Sequence, residues 1–304
     1  MSCKGTKFNP DKDIPDLSGQ VILVTGGNAG LGFETIKELA KHSPAHIYLA
    51  ARSAEKAVKA IQDMRESDDV TAPISFLPLD LSSFDSVKKA ASKFNQEESR
   101  LDILINNAGI MMTAEGLTQE GYETQFGTNV MGHALLVQLL LPILTRTAAI
   151  NPETRVVTLS SASESMAPKD IYQFDELKTT MANRNTTARY CISKIGNLHY
   201  SAAMSKHFGP VKFICVHPGM VATNLHHESS GLFLRMFLFS AIFFATPPDK
   251  GCHSQLWASV SPDAKNGEFY GPVGKTGSGS KLSQNQELAQ GLFEWIQREI
   301  EPHV

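Results

Sequence analysis

Short apolar runs alternate with longer amphipathic stretches along most of this chain. Val21–Thr25, His46–Ala51, Ile74–Leu79, Leu101–Asn106, Arg155–Ser160 and Val211–His217 have the length and apolar character of strands. Between them, Leu31–Lys41, Ala54–Arg65, Phe84–Phe94, a long stretch over about Thr118–Leu144, and Arg189–His207 read as helices. Strands apolar on both faces and separated by helices predict an α/β protein with a parallel sheet covered on both sides. No internal repeat and no linker interrupts the pattern, so residues 1–304 are expected to form a single domain. Two regions depart from the alternation. One is a polar insert over about 164–188; the other is an elaboration over about 224–247.

Composition narrows the function. With 42% hydrophobic and 19% charged residues, the chain suits a soluble globular protein with a sizeable core. A net charge of −3 and the lack of a Lys/Arg run argue against nucleic acid as a partner. Cys3, Cys191, Cys215 and Cys252 form no CxxC pair, which suggests free thiols in a reducing compartment. Met1–Pro15 lacks the apolar core of a secretory signal, so a cytoplasmic location is expected. Leu232–Ala245 is 14 residues, almost all apolar, with Arg235 inside. It is shorter than the roughly 20 residues that span a bilayer. A buried helix, a hydrophobic lid over a ligand and a membrane-surface contact through 232–245 all stay open. Phe233, Phe237, Phe239, Phe243 and Phe244 favour a lipophilic small molecule nearby. His226-His227 has no further ligand at useful spacing, so no metal is expected.

The strongest local chemistry follows the first strand. Thr25-Gly26-Gly27-Asn28-Ala29-Gly30-Leu31-Gly32 joins a strand to a helix. Glycines there allow a tight turn, and the helix start offers N–H groups to a pyrophosphate. The second strand ends in Ala51-Arg52. An acid at this point binds a ribose hydroxyl, whereas an Arg accommodates a 2′-phosphate, so NADP(H) is favoured over NAD(H). Asp80 and Asn106-Asn107-Ala108-Gly109 end the third and fourth strands, where ligands of open α/β sheets bind; a helix cap or a turn explains each equally well. Tyr190 and Lys194 lie four residues apart on a helix and share one face. A nearby cation lowers a phenol's pKa from about 10 towards the range where proton transfer works best.

Taken in order, Thr25-Gly26-x3-Gly30-x-Gly32, Asp80, Asn106-Asn107-Ala108-Gly109, Asn129, Ser160-Ser161, Tyr190-x3-Lys194 and His217-Pro218-Gly219 resemble the short-chain dehydrogenase/reductase family. Leu17-Ser18-Gly19-Gln20-Val21, Tyr48-Leu49-Ala50-Ala51-Arg52 and Thr246-Pro247-Pro248 are similar to its retinol-dehydrogenase-like and WW-domain-oxidoreductase-like branch, without WW modules. The resemblance implies a Rossmann-type doubly wound sheet of order 3-2-1-4-5-6-7. It assigns Tyr190 as proton donor or base, and Lys194 as the group that depresses its pKa and holds the nicotinamide ribose. Ser161, favoured over Ser160, would bind the reacting oxygen, and Asn129 would anchor a water joining Lys194 to solvent. Cofactor contacts are expected from Gly26, Asn28, Gly30, Leu31, Gly32, Arg52, Asp80, Leu81, Asn107, Gly109, Tyr190, Lys194, Pro218, Gly219, Val221 and Thr223. The implied reaction interconverts a carbonyl and an alcohol. Enone reduction, a non-redox rearrangement and a non-catalytic nucleotide-binding regulator are the alternatives. Ser161 and Tyr190 stand 29 positions apart because of the insert, which reads as a substrate-side loop or a plain surface insertion. The long helix and the Tyr190 helix offer a homodimer face, with a monomer as the alternative.

Overall fold

The computed structural model of the protein describes residues 5–67, 69–221 and 246–304. Thr223, the His226-His227 pair, Leu232–Ala245 and most of the region about 224–247 lie outside the described residues.

Seven parallel strands form one sheet in the order 3-2-1-4-5-6-7. Six follow the predicted runs closely: β1 Val21–Thr25, β2 His46–Ala51, β3 Ile74–Pro78, β4 Ile103–Asn106, β5 Arg155–Leu159 and β6 Lys212–Val216. The seventh, β7 Phe269–Tyr270, has two residues, too few to leave an alternation in the sequence. The helices that cover the sheet are α1 Gly30–Ala40, α2 Ala54–Arg65, α3 Phe84–Glu97, α4 Thr124–Ala148, α5 Thr186–His207, α6 His253–Val260 and α7 Gln286–Ile300.

Strand alternation builds two cores. Val21 and Leu23 of β1 pack with α3, α4, α5 and α7, whereas Ile22 and Val24 pack with α1, α2 and α6. Burying each such side chain stabilises the fold by about 1.5–3 kcal/mol. Helix α4 has the length and composition of a membrane span, yet most of it is buried against the sheet, as in a core helix.

Helix α4 also departs from the uniform helix predicted over about Thr118–Leu144. It begins at Thr124 and widens into a π turn over Gly127–Met131. Such turns concentrate at functional sites, and this one carries Asn129. The insert is packed rather than merely superficial. Ile171, Leu177 and Met181 are buried in the core, and Tyr172, Phe174 and Trp295 stack in series. The Tyr172 hydroxyl donates to Nδ1 of His199 on α5 at 2.7 Å, since Nε2 of that ring meets the Leu282 carbonyl at 3.1 Å. Every residue from Arg189 to Ser201 on α5 is buried.

Parallel strands place all carboxyl ends on one edge. β1 sits between β2 and β4, and the chain passes from β3 across to β4, so the connections diverge beside β1. That divergence opens the crevice in which doubly wound sheets take their ligands.

Candidate active site

The glycine turn leaves β1 with Gly26 at φ +67° and Gly30 at φ +55°, conformations that exclude most side chains. Gly26 N–H donates to the Ala50 carbonyl at 2.7 Å, pinning the turn to β2. A Cβ on Gly32 would strike the Gly26 carbonyl and lie 2.6 Å from Asn107 Nδ2. Ala29, the N-cap of α1, makes no side-chain hydrogen bond to the helix start. The helix therefore presents its first N–H groups and the positive end of its dipole without an internal side-chain competitor. These features fit a pyrophosphate, and the cradle exists only because no Cβ fills it.

Asn107, expected along the cofactor, is occupied within the scaffold. Its Nδ2 donates to Thr25 O at 2.8 Å and Gly26 O at 3.4 Å, and its Oδ1 accepts from Gln255 Nε2 at 3.2 Å. Gln255 Nε2 also donates to Thr35 Oγ1 on α1 at 2.6 Å. Gln255 was not legible as a site residue, because it is an isolated Gln on a helix far along the chain.

Ser160 and Ser161 separate as strand alternation requires. Ser160 Oγ donates to the Lys194 carbonyl at 2.7 Å, while the Ser161 hydroxyl is on the Tyr190 side, close enough to the phenol to lower its pKa. Ser161 Oγ also accepts from Ser163 N–H at 3.1 Å, which fixes its rotamer. Lys194 Nζ lies 5.7 Å from the centre of the Tyr190 ring and donates to the Leu159 carbonyl at 3.2 Å. Burial pushes the Tyr190 phenol up to about 12, with the Ser161 hydrogen bond opposing it, and burial lowers Lys194 to about 8. The Tyr190 phenol thus sits above its ordinary value of 10, because desolvation disfavours the phenolate.

Asn129 braces the loop that follows β4. Its Oδ1 accepts from Ile110 N–H at 2.8 Å, and its Nδ2 donates to Ile110 O at 3.0 Å and Ser193 Oγ at 2.9 Å. Its main-chain oxygen meets His133 Nδ1 at 3.0 Å. A Cβ on Gly109 would sit 3.2 Å from Asn129 Oδ1 and 3.5 Å from Lys194 Nζ, so this loop passes directly over the Lys194 ammonium.

The remaining predicted residues surround the same edge. Arg52 is exposed two positions beyond Ala50, the residue paired with Thr25. Asp80 Oδ1 accepts from Ser82 N–H at 2.9 Å and Ser82 Oγ at 2.7 Å, while Ser83 caps α3. Asp80 thus shapes the turn before α3, while the N-cap position raised as its alternative falls to Ser83. Leu31 and Leu81 have buried side chains, which leaves their main-chain groups for a ligand, and Asn28 is half-buried in the glycine turn. Pro218-Gly219 follows β6, with Gly219 at φ +87° and its N–H 3.3 Å from His217 Nδ1. Val221 pairs with Thr246 across the undescribed segment.

The short chain dehydrogenase family profile matches residues 20–172. A short-chain dehydrogenase/reductase of Armillaria gallica is 39% identical over 295 residues, 94% of this chain and 91% of its own. Retinol dehydrogenase 12 of Mus musculus is 33% identical over 281 residues, 91% of this chain and 85% of that one. The crystal structure of an uncharacterized protein from Mycobacterium paratuberculosis superposes with a TM-score of 0.74 at 25% identity, covering 97% of this chain and 98% of that one. The fold and these similarities define a Rossmann-type oxidoreductase that binds a nicotinamide cofactor and acts on CH–OH and C=O groups. The chain belongs to the short-chain dehydrogenase/reductase family.

Proposed function

We propose that the protein is an NADP(H)-dependent oxidoreductase that interconverts a carbonyl and an alcohol on a lipophilic substrate, with Tyr190 as its acid/base. One observation carries the reading: the Lys194 ammonium lies 5.7 Å from the centre of the Tyr190 ring, with the Ser161 hydroxyl close enough to that phenol to lower its pKa. When bound, the nicotinamide supplies or takes the hydride. The chain supplies the proton and the field around the oxygen. A phenol held at about 12 is protonated at neutral pH and can donate to an oxygen as negative charge builds there. Ser161, oriented by Ser163 N–H, is a second donor to the same oxygen. Lys194 favours the phenolate left behind, and Asn129 holds the Gly109–Ile110 loop over Lys194.

Support for NADP(H) over NAD(H) comes from Arg52 at the end of β2, where Ala51 supplies no acid to a ribose hydroxyl. Support for a lipophilic substrate comes from the apolar Leu232–Ala245 sequence and from a relative named for retinol.

The test is Tyr190→Phe against a panel of lipophilic ketones and aldehydes, with product identification. Turnover is expected to fall by at least about a thousandfold, within the range of general acid catalysis, while NADPH binding stays measurable. Unchanged turnover overturns the mechanism, and a higher kcat/KM with NADH than with NADPH overturns the cofactor preference.

A further inference from the structure

His133, which the reading above does not use, joins the two halves of the site. It lies on α4 one turn beyond Asn129, and its ring is buried. Nδ1 stands 3.0 Å from the Asn129 main-chain oxygen, and Nε2 stands 2.9 Å from Thr25 Oγ1. A carbonyl only accepts, so Nδ1 carries the proton and Nε2 offers a lone pair. The Thr25 hydroxyl oxygen already accepts from Asn107 N–H at 3.0 Å and Ala108 N–H at 2.9 Å. Its proton therefore goes to Nε2, the alternative Ile105 carbonyl being 3.4 Å away. One imidazole thereby spans from the strand end beneath the glycine turn to the π turn that carries Asn129.

We infer that His133 is a positioning residue: a neutral imidazole that keeps the nucleotide cradle at Thr25 and the Asn129 support in register. The inference rests on the proposed roles of Tyr190 and Lys194. Burial holds the ring well below its ordinary pKa, at about 4, and the Lys194 charge pushes in the same direction. A neutral ring of one tautomer satisfies both partners; an imidazolium would turn a donor towards the Thr25 hydroxyl and break that chain.

The test separates the two hydrogen bonds. In His133→Gln the amide takes the place of Nε2 and faces Thr25; in His133→Asn it takes the place of Nδ1 and faces Asn129. With the full chain, NADPH affinity from fluorescence titration is expected to fall about tenfold in H133N and to stay within about threefold in H133Q. The kcat for the carbonyl reduced fastest in the panel is expected to behave oppositely, falling about tenfold in H133Q and staying within about threefold in H133N. Equal losses in both variants indicate a merely structural ring, and no loss in either indicates none of this role; each outcome overturns the inference. Nitrogen NMR of the unmodified chain adds a readout that needs no variant. The Nδ1-protonated neutral tautomer is expected at about pH 6, and an imidazolium or the other tautomer overturns the inference. Tyr190→Phe run in parallel keeps the two failures apart. If that variant turns over normally, the proposed chemistry fails while NADPH affinity still decides the case for His133.

Discussion

Asn107 donates its side-chain amide to the main-chain oxygen of Thr25 at 2.8 Å and, from the other side, accepts from Gln255. The residue that reads in sequence as a cofactor contact is a strut for the glycine turn. Both polar atoms of its amide are engaged inside the protein.

Replacing this strut separates support from contact. Asn107→Asp keeps the shape but turns a carboxylate towards the Thr25 and Gly26 carbonyls, leaving both without their donor. We expect KM for NADPH to rise at least about tenfold and the melting temperature to fall by about 5 °C. A weaker cofactor affinity with an unchanged melting temperature, measured by scanning fluorimetry, would assign Asn107 to contact instead.

Gly109 governs the space above Lys194. An added Cβ would meet Asn129 Oδ1 at 3.2 Å, tighter than ordinary contact, and Lys194 Nζ at 3.5 Å. In Gly109→Ala the Asn129 amide must shift, and with it the Ile110 loop. The expected result is a fall in kcat of about tenfold to a hundredfold with the fold retained, since small misplacements near the reacting groups are costly. Steady-state kinetics beside circular dichroism checks this; a variant with wild-type kcat would show that the loop yields freely.

Two buried histidines set an acid limit on stability. Burial lowers His133 and His199 to about 4 from an ordinary value of 6.5. Between those values the unfolded chain binds protons that the folded chain refuses. Stability is therefore full above about 6.5 and is lost as pH falls through the window towards 4. Urea unfolding at several pH values should show the free energy of unfolding declining across that window, by on the order of a few kcal/mol in total. In His199→Phe the decline should be shallower; an identical slope would remove His199 as a contributor.

Glu164 holds a distant loop to the Ser161 turn. Its carboxylate, nearly inaccessible, accepts from Ser280 N–H at 3.1 Å and Ser280 Oγ at 2.7 Å, and its own N–H meets the Ser161 carbonyl at 3.1 Å. Glu164→Ala would leave the Ser280 groups unpaired. Hydrogen exchange should then accelerate across residues 277–283, while protection in β1 and β4 stays unchanged. Uniform acceleration throughout the sheet would mean that Glu164 supports global stability instead of this loop.

Much of the fold was legible because its causes are local. Six strands declared themselves by short apolar runs, and Tyr190 and Lys194 by a spacing that any helix converts into one face. The glycine turn followed from residues that alone tolerate its backbone. Other features depended on partners far along the chain. His133 meets a hydroxyl 108 positions away, Gln255 reaches an amide 148 positions away, and the insert buries Ile171, Leu177 and Met181 in the core. The engagement of the Ser160 hydroxyl with the Lys194 carbonyl required the position of α5, and the high pKa of Tyr190 required knowing how completely it is buried. Periodicity and backbone preference act between near neighbours, so the sequence determined the elements and the order of the motifs. Burial and hydrogen bonding act between residues that only the packed chain brings together, so the tertiary structure decided which side chains brace the glycine turn and the Asn129 loop, and which way the buried phenol, ammonium and imidazoles titrate.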